Sequence, residues 1–141
     1  MNQIHRVAIV GGTHGNELTG VYLIKKFQQY PHLIHRSSFE TLSLLGNPKA
    51  IAARTRYIDT DLNRCFNESQ LSDVKTSSYE ELRAREIQKI LQPQNQQSVD
   101  VIMDLHNVKG CQQLRHSFIL YRDRVDAIKD KLNKCKSNGT D

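Results

Sequence analysis

The 141-residue sequence has no apolar run approaching the roughly 20 residues that a membrane-spanning helix requires. Its first apolar run covers residues 7–10 and leads directly into a glycine-rich segment, which differs from the pattern of a secretory signal peptide. Internal repeats and a domain linker are also lacking. We therefore expect a cytoplasmic protein with no membrane partner, built as one domain over residues 1–141.

Cysteine is scarce as well, with only three residues, at positions 65, 111 and 135. Their number is odd, their spacing is wide and they form no C-x-x-C pair, which argues against a disulfide framework of the secreted type. We expect reduced thiols. Cys65 follows Arg64, a neighbour that could activate a thiol, but no partner motif of a thiol enzyme accompanies it.

The excess of positive charge is small, since 20 Lys and Arg oppose 15 Asp and Glu. The basic residues are spread along the chain, and their densest group, over residues 125–135, is interleaved with aspartates in a predicted amphipathic helix. This pattern is typical of a solvated face, so we expect no nucleic-acid partner. A mildly basic protein also suits an anionic substrate.

Short apolar runs predict four β-strands. They cover residues 6–10, 41–45, 99–105 and 117–121. Between the first two runs, helical spacing predicts a helix over residues 17–30 that Asn16 caps. A strand, a crossover helix and a second strand indicate an α/β fold, in which a mixed sheet is flanked by helices.

A further helix is predicted to start at a capping box formed by Ser78 and Glu81 and to end near residue 91. Its apolar stripe is predicted to consist of Leu82, Ile87, Ile90 and Leu91.

The polar segment 57–76 has no clear period and is predicted to be a long loop, a feature that is often functional in compact domains. We expect Asp59 and Asp61 to hold this loop together and Tyr57 to belong to the core.

Two groups of metal-ligating side chains follow predicted strands. His14 and Glu17 are three residues apart in Gly-Gly-Thr-His-Gly-Asn-Glu, and His106 follows the strand near residue 100. Ligands collect at the carboxyl ends of strands in open α/β sheets, so both groups face the same edge. Three protein ligands that leave a fourth position for water are typical of catalytic zinc. We predict one zinc ion per chain, bound by His14, Glu17 and His106.

The same residues allow two other interpretations. The histidines could simply fill loops while Glu17 complements a helix dipole. The glycine-rich turn could also cradle a phosphate. However, glycines at positions 11, 12 and 15 form no G-x-G-x-x-G, and no Gly-Lys-Ser/Thr follows them, which disfavours nucleotide binding.

Three ordered segments resemble the aspartoacylase/succinylglutamate desuccinylase family of zinc carboxypeptidase-like hydrolases. Residues 6–20 resemble the opening strand and metal loop of aspartoacylases, residues 56–64 resemble their substrate-binding segment, and residues 101–107 resemble the strand of the third ligand. The resemblance implies a zinc carboxypeptidase-like core, of which the chain holds an N-terminal part and which is therefore incomplete. Residues 108–141 diverge from the family pattern.

The resemblance also implies an activity. It points to a zinc-dependent amidohydrolase that cleaves an N-acyl amino acid, with N-acetylaspartate giving acetate and aspartate. Arg56 would stabilise the developing oxyanion, while Asn63 and Arg64 would hold the substrate carboxylate, for which guanidinium is a natural bidentate partner. Asp104 and Asn107 flank His106 and are predicted to orient it. The sequence leaves three alternatives open: the activity of a related zinc exopeptidase, an N-acyl aromatic amino acid as substrate, and assembly as a homodimer.

The family's general base is a glutamate that lies beyond the matching segments. Candidate replacements within this chain are Glu40, Glu68, Glu80, Glu81 and Glu86, none of which ends a predicted strand beside the zinc ligands. A missing general base costs about 10²–10⁴-fold in rate. The second hypothesis is therefore a truncated, non-catalytic zinc-binding remnant.

Overall fold

The computed structural model describes residues 3–67, 78–107 and 116–122, the last range by its backbone alone. The strands in chain order are β1 (Arg6–Gly11), β2 (Glu40–Leu45), β3 (Val101–Asn107) and β4 (His116–Arg122). They form a four-stranded sheet in the order β2-β1-β3-β4. β1 pairs in parallel with β2 and β3, whereas β4 runs antiparallel to β3. All four predicted strands and the mixed α/β sheet are confirmed.

Three α-helices lie within the described residues, namely α1 (Leu18–Gln29), α2 (Pro48–Ala53) and α3 (Tyr79–Leu91). Two short 3-10 helices, Pro31–Leu33 and Leu62–Arg64, accompany them. The predicted helices α1 and α3 are confirmed, and the Ser78–Glu81 capping box is present. The helix predicted over residues 125–135 lies outside the described residues. Among the described helices, none is long and apolar enough to cross a membrane.

Helix α2 was not predicted, although the sequence carries a signal for it. The Asn47 side-chain oxygen accepts a hydrogen bond from the Ala50 amide, and Pro48 occupies the first helical position. Asparagine is a preferred N-cap residue, and proline is favoured directly after the cap. The Asn-Pro pair thus follows the end of β2 and begins a helix.

The core lies on both faces of the sheet because successive side chains of β1 alternate. Ala8 and Val10 face the side that α3 covers, where they join the larger buried cluster. Ile9 faces the opposite side and packs with Ile24 of α1 and Leu105 of β3. Helices on both faces allow the parallel strands to be buried.

The apolar stripe of α3 differs from the prediction. Ile87 and Leu91 are buried, but Leu82 and Ile90 are 49% and 41% exposed. The side chains of α3 that are buried are those of Glu80, Ala84, Ile87 and Leu91. These residues are spaced by four, three and four positions, as the buried face of a helix requires. A search for apolar residues does not find this face, because its first member is charged.

The strand register brings the two site-bearing segments to one edge of the sheet. Gly11, the last residue of β1, pairs with Leu45 of β2 and Leu105 of β3. The segment that contains His14 therefore leaves the sheet beside His106.

The segment after β1 also packs tightly against α2. A Cβ atom on Gly15 would overlap the backbone carbonyl of Ala50, and backbone cannot move aside as a flexible side chain can. We expect Gly15→Ala to lower the free energy of unfolding by roughly 1–3 kcal/mol, as overpacking does. Urea unfolding would measure this, with the exposed Ser37→Ala as a control within about 0.5 kcal/mol of wild type. Equal stability of Gly15→Ala and wild type would contradict the packing.

Candidate active site

The first two predicted ligands lie in the turn between β1 and α1. Gly12 has a positive φ of 72°, which redirects the chain at the end of the strand. The His14 side chain is almost fully buried, and its Nδ1 lies 2.8 Å from Glu17 Oε1. Glu17, rather than the predicted Asn16, is the N-cap residue of α1, and its side chain makes no capping hydrogen bond. Its carboxylate points to the histidines instead.

His106 reaches the same point from the end of β3. Its Nδ1 lies 3.1 Å from Glu17 Oε2, and its ring centroid is 5.0 Å from that of His14. One potential ligand atom from each of His14, Glu17 and His106 lies within 4.8 Å of the others. The structure therefore brings all three predicted ligands together, although Glu17 and His106 are separated by 89 positions in the sequence.

The remaining nitrogen of each ring contacts a carboxylate. His106 Nε2 lies 2.8 Å from Asp104 Oδ2, and His14 Nε2 lies 3.2 Å from Asp61 Oδ1. A ring that donates from Nε2 presents an unprotonated Nδ1, and a carboxylate behind a ligating histidine is usual at metal sites. Two imidazole nitrogens and one carboxylate oxygen form a donor set that suits zinc. The residues present thus fit a metal ion.

Asp104 contacts His106 as predicted, and its Oδ1 accepts a hydrogen bond of 2.8 Å from the Thr13 hydroxyl. Asn107 behaves differently from the prediction. Its backbone amide donates to Glu17 Oε2 over 2.8 Å, so it orients the glutamate through the main chain. Three elements, the loop after β1, the start of α1 and the end of β3, are therefore joined through the Glu17 and Asp104 carboxylates.

The carboxylates create a site that favours positive charge. Burial lowers the pKa of His106, but hydrogen bonds to Asp104 and Glu17 outweigh it and raise that pKa to about 10. Burial likewise opposes the change at His14, whose pKa is raised by Asp61 and Glu17. The pKa of Glu17 is held well below its usual range, since the histidine hydrogen bonds outweigh the effect of burial. The carboxylates therefore favour positive charge at this point of the structure.

The loop that carries the predicted substrate-binding residues lies against the turn between β1 and α1 (residues 12–17, the metal loop of the prediction). The Gly15 amide donates to the Arg56 carbonyl over 3.2 Å. The Arg56 guanidinium donates to Asp61 Oδ2 from Nε and Nη2, at 3.2 and 3.0 Å. The Asn63 side-chain nitrogen lies 3.3 Å from His14 Nε2. Arg64 ends the second 3-10 helix and is exposed. Arg56 and Asn63 thus border the three predicted ligands.

Asp61 has a larger role than the sequence indicated. As predicted, it holds the loop, because its Oδ1 accepts a hydrogen bond from the Asn63 amide. It also connects His14 to Arg56, a contact that sequence spacing cannot show. The hydrogen bond from His14 is the main cause that keeps the pKa of Asp61 well below its usual range, against the effect of burial. The prediction for Tyr57 was wrong, since this residue is 43% exposed.

None of the four candidate bases in the described part of the chain faces the three predicted ligands. Glu40 pairs with Arg6 at the opposite end of the sheet. Glu81 belongs to the capping box, and Glu86 pairs with Arg83. Glu80 is completely buried among hydrogen-bond donors. Glu68, the fifth candidate, lies outside the described residues.

The described neighbours of the Cys65 thiol do not activate it. It is buried, and its Sγ donates to the Asp61 carbonyl over 3.4 Å. Burial, together with the charges of Glu81 and Glu80, raises the pKa of the thiol to about 12. A thiol of this kind is inert, in agreement with the sequence.

Comparison with known proteins shows the family of this chain. The model of the succinylglutamate desuccinylase/aspartoacylase catalytic domain matches residues 3–132. The chain belongs to this family. It is 58% identical over 107 residues to a probable aspartoacylase of Nostoc sp., a match that covers 76% of this chain and 36% of that protein. It is 44% identical over 107 residues to the human N-acyl-aromatic-L-amino acid amidohydrolase (carboxylate-forming), covering 74% and 34%.

The fold is also shared with solved members of the family. The crystal structure of murine aminoacylase 3 superimposes with a TM-score of 0.70 at 44% identity, covering 76% of this chain and 36% of that chain. The predicted zinc carboxypeptidase-like core of this family is thereby confirmed. The matches span about a third of the length of these relatives.

Proposed function

We propose that this chain carries the metal-binding and part of the substrate-binding machinery of a zinc-dependent amidohydrolase that acts on an N-acyl amino acid, with N-acetylaspartate as the expected substrate. The observation that carries this proposal is the convergence of His14, Glu17 and His106 within 4.8 Å. Relatives named aspartoacylase and N-acyl-aromatic-L-amino acid amidohydrolase support the reaction class.

We assign His14, Glu17 and His106 as the ligands of one zinc ion. Bound zinc supplies a Lewis acid that polarises a carbonyl and lowers the pKa of water. Asp104 and Asp61 hold the two imidazole rings by their Nε2 atoms, so that both Nδ1 atoms face Glu17. This arrangement fixes ring orientation before any ligand arrives, which is what a preorganised site requires.

The basic residues of the loop are assigned to the substrate. Arg56 is 43% exposed while it pairs with Asp61, so its guanidinium is accessible yet held beside His14. We assign it the stabilisation of negative charge that develops on the acyl oxygen. Asn63 and the exposed Arg64 are assigned to the substrate carboxylate, which a guanidinium can bind in bidentate fashion.

A specific observation favours a second candidate, a zinc-binding protein without turnover. Within the described ranges, every glutamate other than Glu17 is engaged elsewhere or lies away from the three ligands. Such a protein would bind metal and substrate but would lack a group that accepts the proton of the attacking water.

Substrate binding tests these assignments. Arg56→Ala and Arg64→Ala should each weaken the binding of N-acetylaspartate to the zinc-loaded chain by about tenfold or more, because a hydrogen bond to a charged group contributes roughly 1.5–3 kcal/mol. Isothermal titration calorimetry would measure the affinity, and metal analysis would check that zinc is retained. The exposed Arg36→Ala is the matched control. Unchanged binding in both loop variants would show that the loop does not hold the substrate.

A further inference from the structure

A buried carboxylate contacts the loop of residues 56–64, which carries the proposed substrate-binding residues and is called the substrate loop below. Glu80 occupies the second position of α3 and is 0% exposed. An ionised carboxylate in the interior is costly unless hydrogen bonds replace its water shell. The neighbours of Glu80 should therefore be strong donors, and their identity shows what the residue holds in place.

Three consecutive backbone amides of the loop donate to this carboxylate. The Ile58 amide donates to Oε1 over 2.7 Å, while the Asp59 and Thr60 amides donate to Oε2 over 3.0 and 3.2 Å. These hydrogen bonds, with one from Asn47, outweigh burial and lower the pKa of Glu80, which keeps it charged. The three amides lie between Arg56 and Asp61, the residues that border His14.

Hydrogen bonds between the loop and α3 run in both directions. The Tyr79 amide, at the start of α3, donates to Asp59 Oδ2 over 2.8 Å. The helix end thus binds a loop carboxylate, as helix N-termini favour, while the loop amides bind the carboxylate of the helix. A shift of the loop would break both sets of hydrogen bonds at once.

Glu80 also connects the loop to the turn that carries His14. The side-chain amide of Asn47 donates to Glu80 Oε1 over 3.0 Å, and the backbone amide of Asn47 donates to the Gly12 carbonyl over 3.0 Å. A chain of hydrogen bonds therefore runs from residues 58–60 through Glu80 and Asn47 to the metal loop.

We propose that Glu80 is a positioning residue, whose carboxylate holds the backbone of residues 58–60 and thereby places Arg56 and Asp61 against His14. It contacts neither substrate nor metal, and its effect on substrate is exerted through Arg56. The inference rests on the proposed function, in which Arg56 binds the substrate. It assigns to Glu80 a role different from the general base for which it is a sequence candidate.

The test compares Glu80→Gln with Glu81→Gln in the full 141-residue chain. The amide in Glu80→Gln keeps the size of the side chain but turns an NH₂ group towards backbone N–H donors, so part of the amide cradle is lost. Glu81→Gln makes the same charge change one residue away, in the capping box, without touching the loop. Both changes are expected to reduce stability, which makes Glu81→Gln the matched control.

Two readouts separate positioning from stability. In hydrogen–deuterium exchange, the amides of residues 58–60 should exchange at least tenfold faster in Glu80→Gln than in wild type and should be unchanged in Glu81→Gln. In titration of the zinc-loaded chains, Glu80→Gln should weaken N-acetylaspartate binding about tenfold with one zinc retained, whereas Glu81→Gln should leave it within twofold. Unchanged exchange at residues 58–60, or equal affinities in the two variants, would overturn the proposal.

A second variant decides the matter if Glu80→Gln does not fold. Asp59 is exposed, and among the described residues Asp59→Ala removes only the hydrogen bond that the Tyr79 amide donates to Asp59. This variant should speed hydrogen exchange at residues 58–60 and weaken substrate binding several-fold; an unchanged exchange rate and an unchanged affinity would overturn the proposal.

Arg56→Ala in the same binding assay distinguishes failure of the positioning role from failure of the proposed function. If Arg56→Ala weakens binding and the Glu80 or Asp59 variant does not, positioning by Glu80 fails alone. If wild type does not bind N-acetylaspartate, or Arg56→Ala binds it unchanged, the proposed function fails as well.

Discussion

Replacing His14 with alanine should weaken zinc binding at least ~100-fold, since the loss of a ligand should exceed the roughly 10–100-fold that the loss of a ligand's hydrogen-bond partner causes. His14 is buried with its Nδ1 beside Glu17, so the substitution removes one of the three potential donors from an interior position. Competition titration with a chromophoric chelator would measure the zinc affinity, and metal analysis would give the stoichiometry.

Graded controls make this result specific. Asp104→Asn keeps all three predicted ligands but weakens the hold on His106, so it should lose only about 10–100-fold. His32→Ala removes an exposed histidine of the first 3-10 helix and should change nothing. Equal zinc content and affinity in wild type and His14→Ala would refute the assignment of this site.

The second large effect concerns turnover. The zinc-loaded 141-residue chain should hydrolyse N-acetylaspartate at least ~100-fold more slowly than a full-length aspartoacylase relative, the low end of what a positioned general base contributes. The reason lies in the described residues, which include the proposed metal and substrate contacts but no glutamate that is free to accept a proton at the site. Steady-state assays under identical conditions would give both rates.

Added zinc should not restore the rate, because all three proposed metal ligands are present in the chain. A rate equal to that of the relative would contradict the expectation and would mean that the chain supplies its own base. Glu68, which lies in the predicted loop of residues 57–76 that also carries Arg64, would then be the first residue to replace.

The sequence predicted the strands and the meeting of His14, Glu17 and His106. The prediction succeeded because it used local signals: apolar runs mark buried strands, and the carboxyl ends of parallel strands share one edge. The register of Gly11 with Leu105 is what makes the two segments neighbours.

What the sequence did not reveal depends on tertiary contacts. Asp61 and Glu80 are ordinary acidic residues in a loop and in a helix start, where carboxylates are common. Only the folded chain shows that one contacts His14 and that the other is buried against the amides of residues 58–60. Asn16 was expected to cap α1, but Glu17 occupies that position and turns its carboxylate to the histidines.

X-ray absorption at the zinc edge of the zinc-loaded chain tests the central claim most directly, because it reports which atoms bind the metal. Binding by His14, Glu17 and His106 predicts nitrogen and oxygen scatterers at about 2.0–2.2 Å, with imidazole outer-shell features. These features should fall to those of a single ring in His106→Ala. Sulfur at about 2.3 Å, which would place zinc on cysteine, or a spectrum without imidazole would contradict the account.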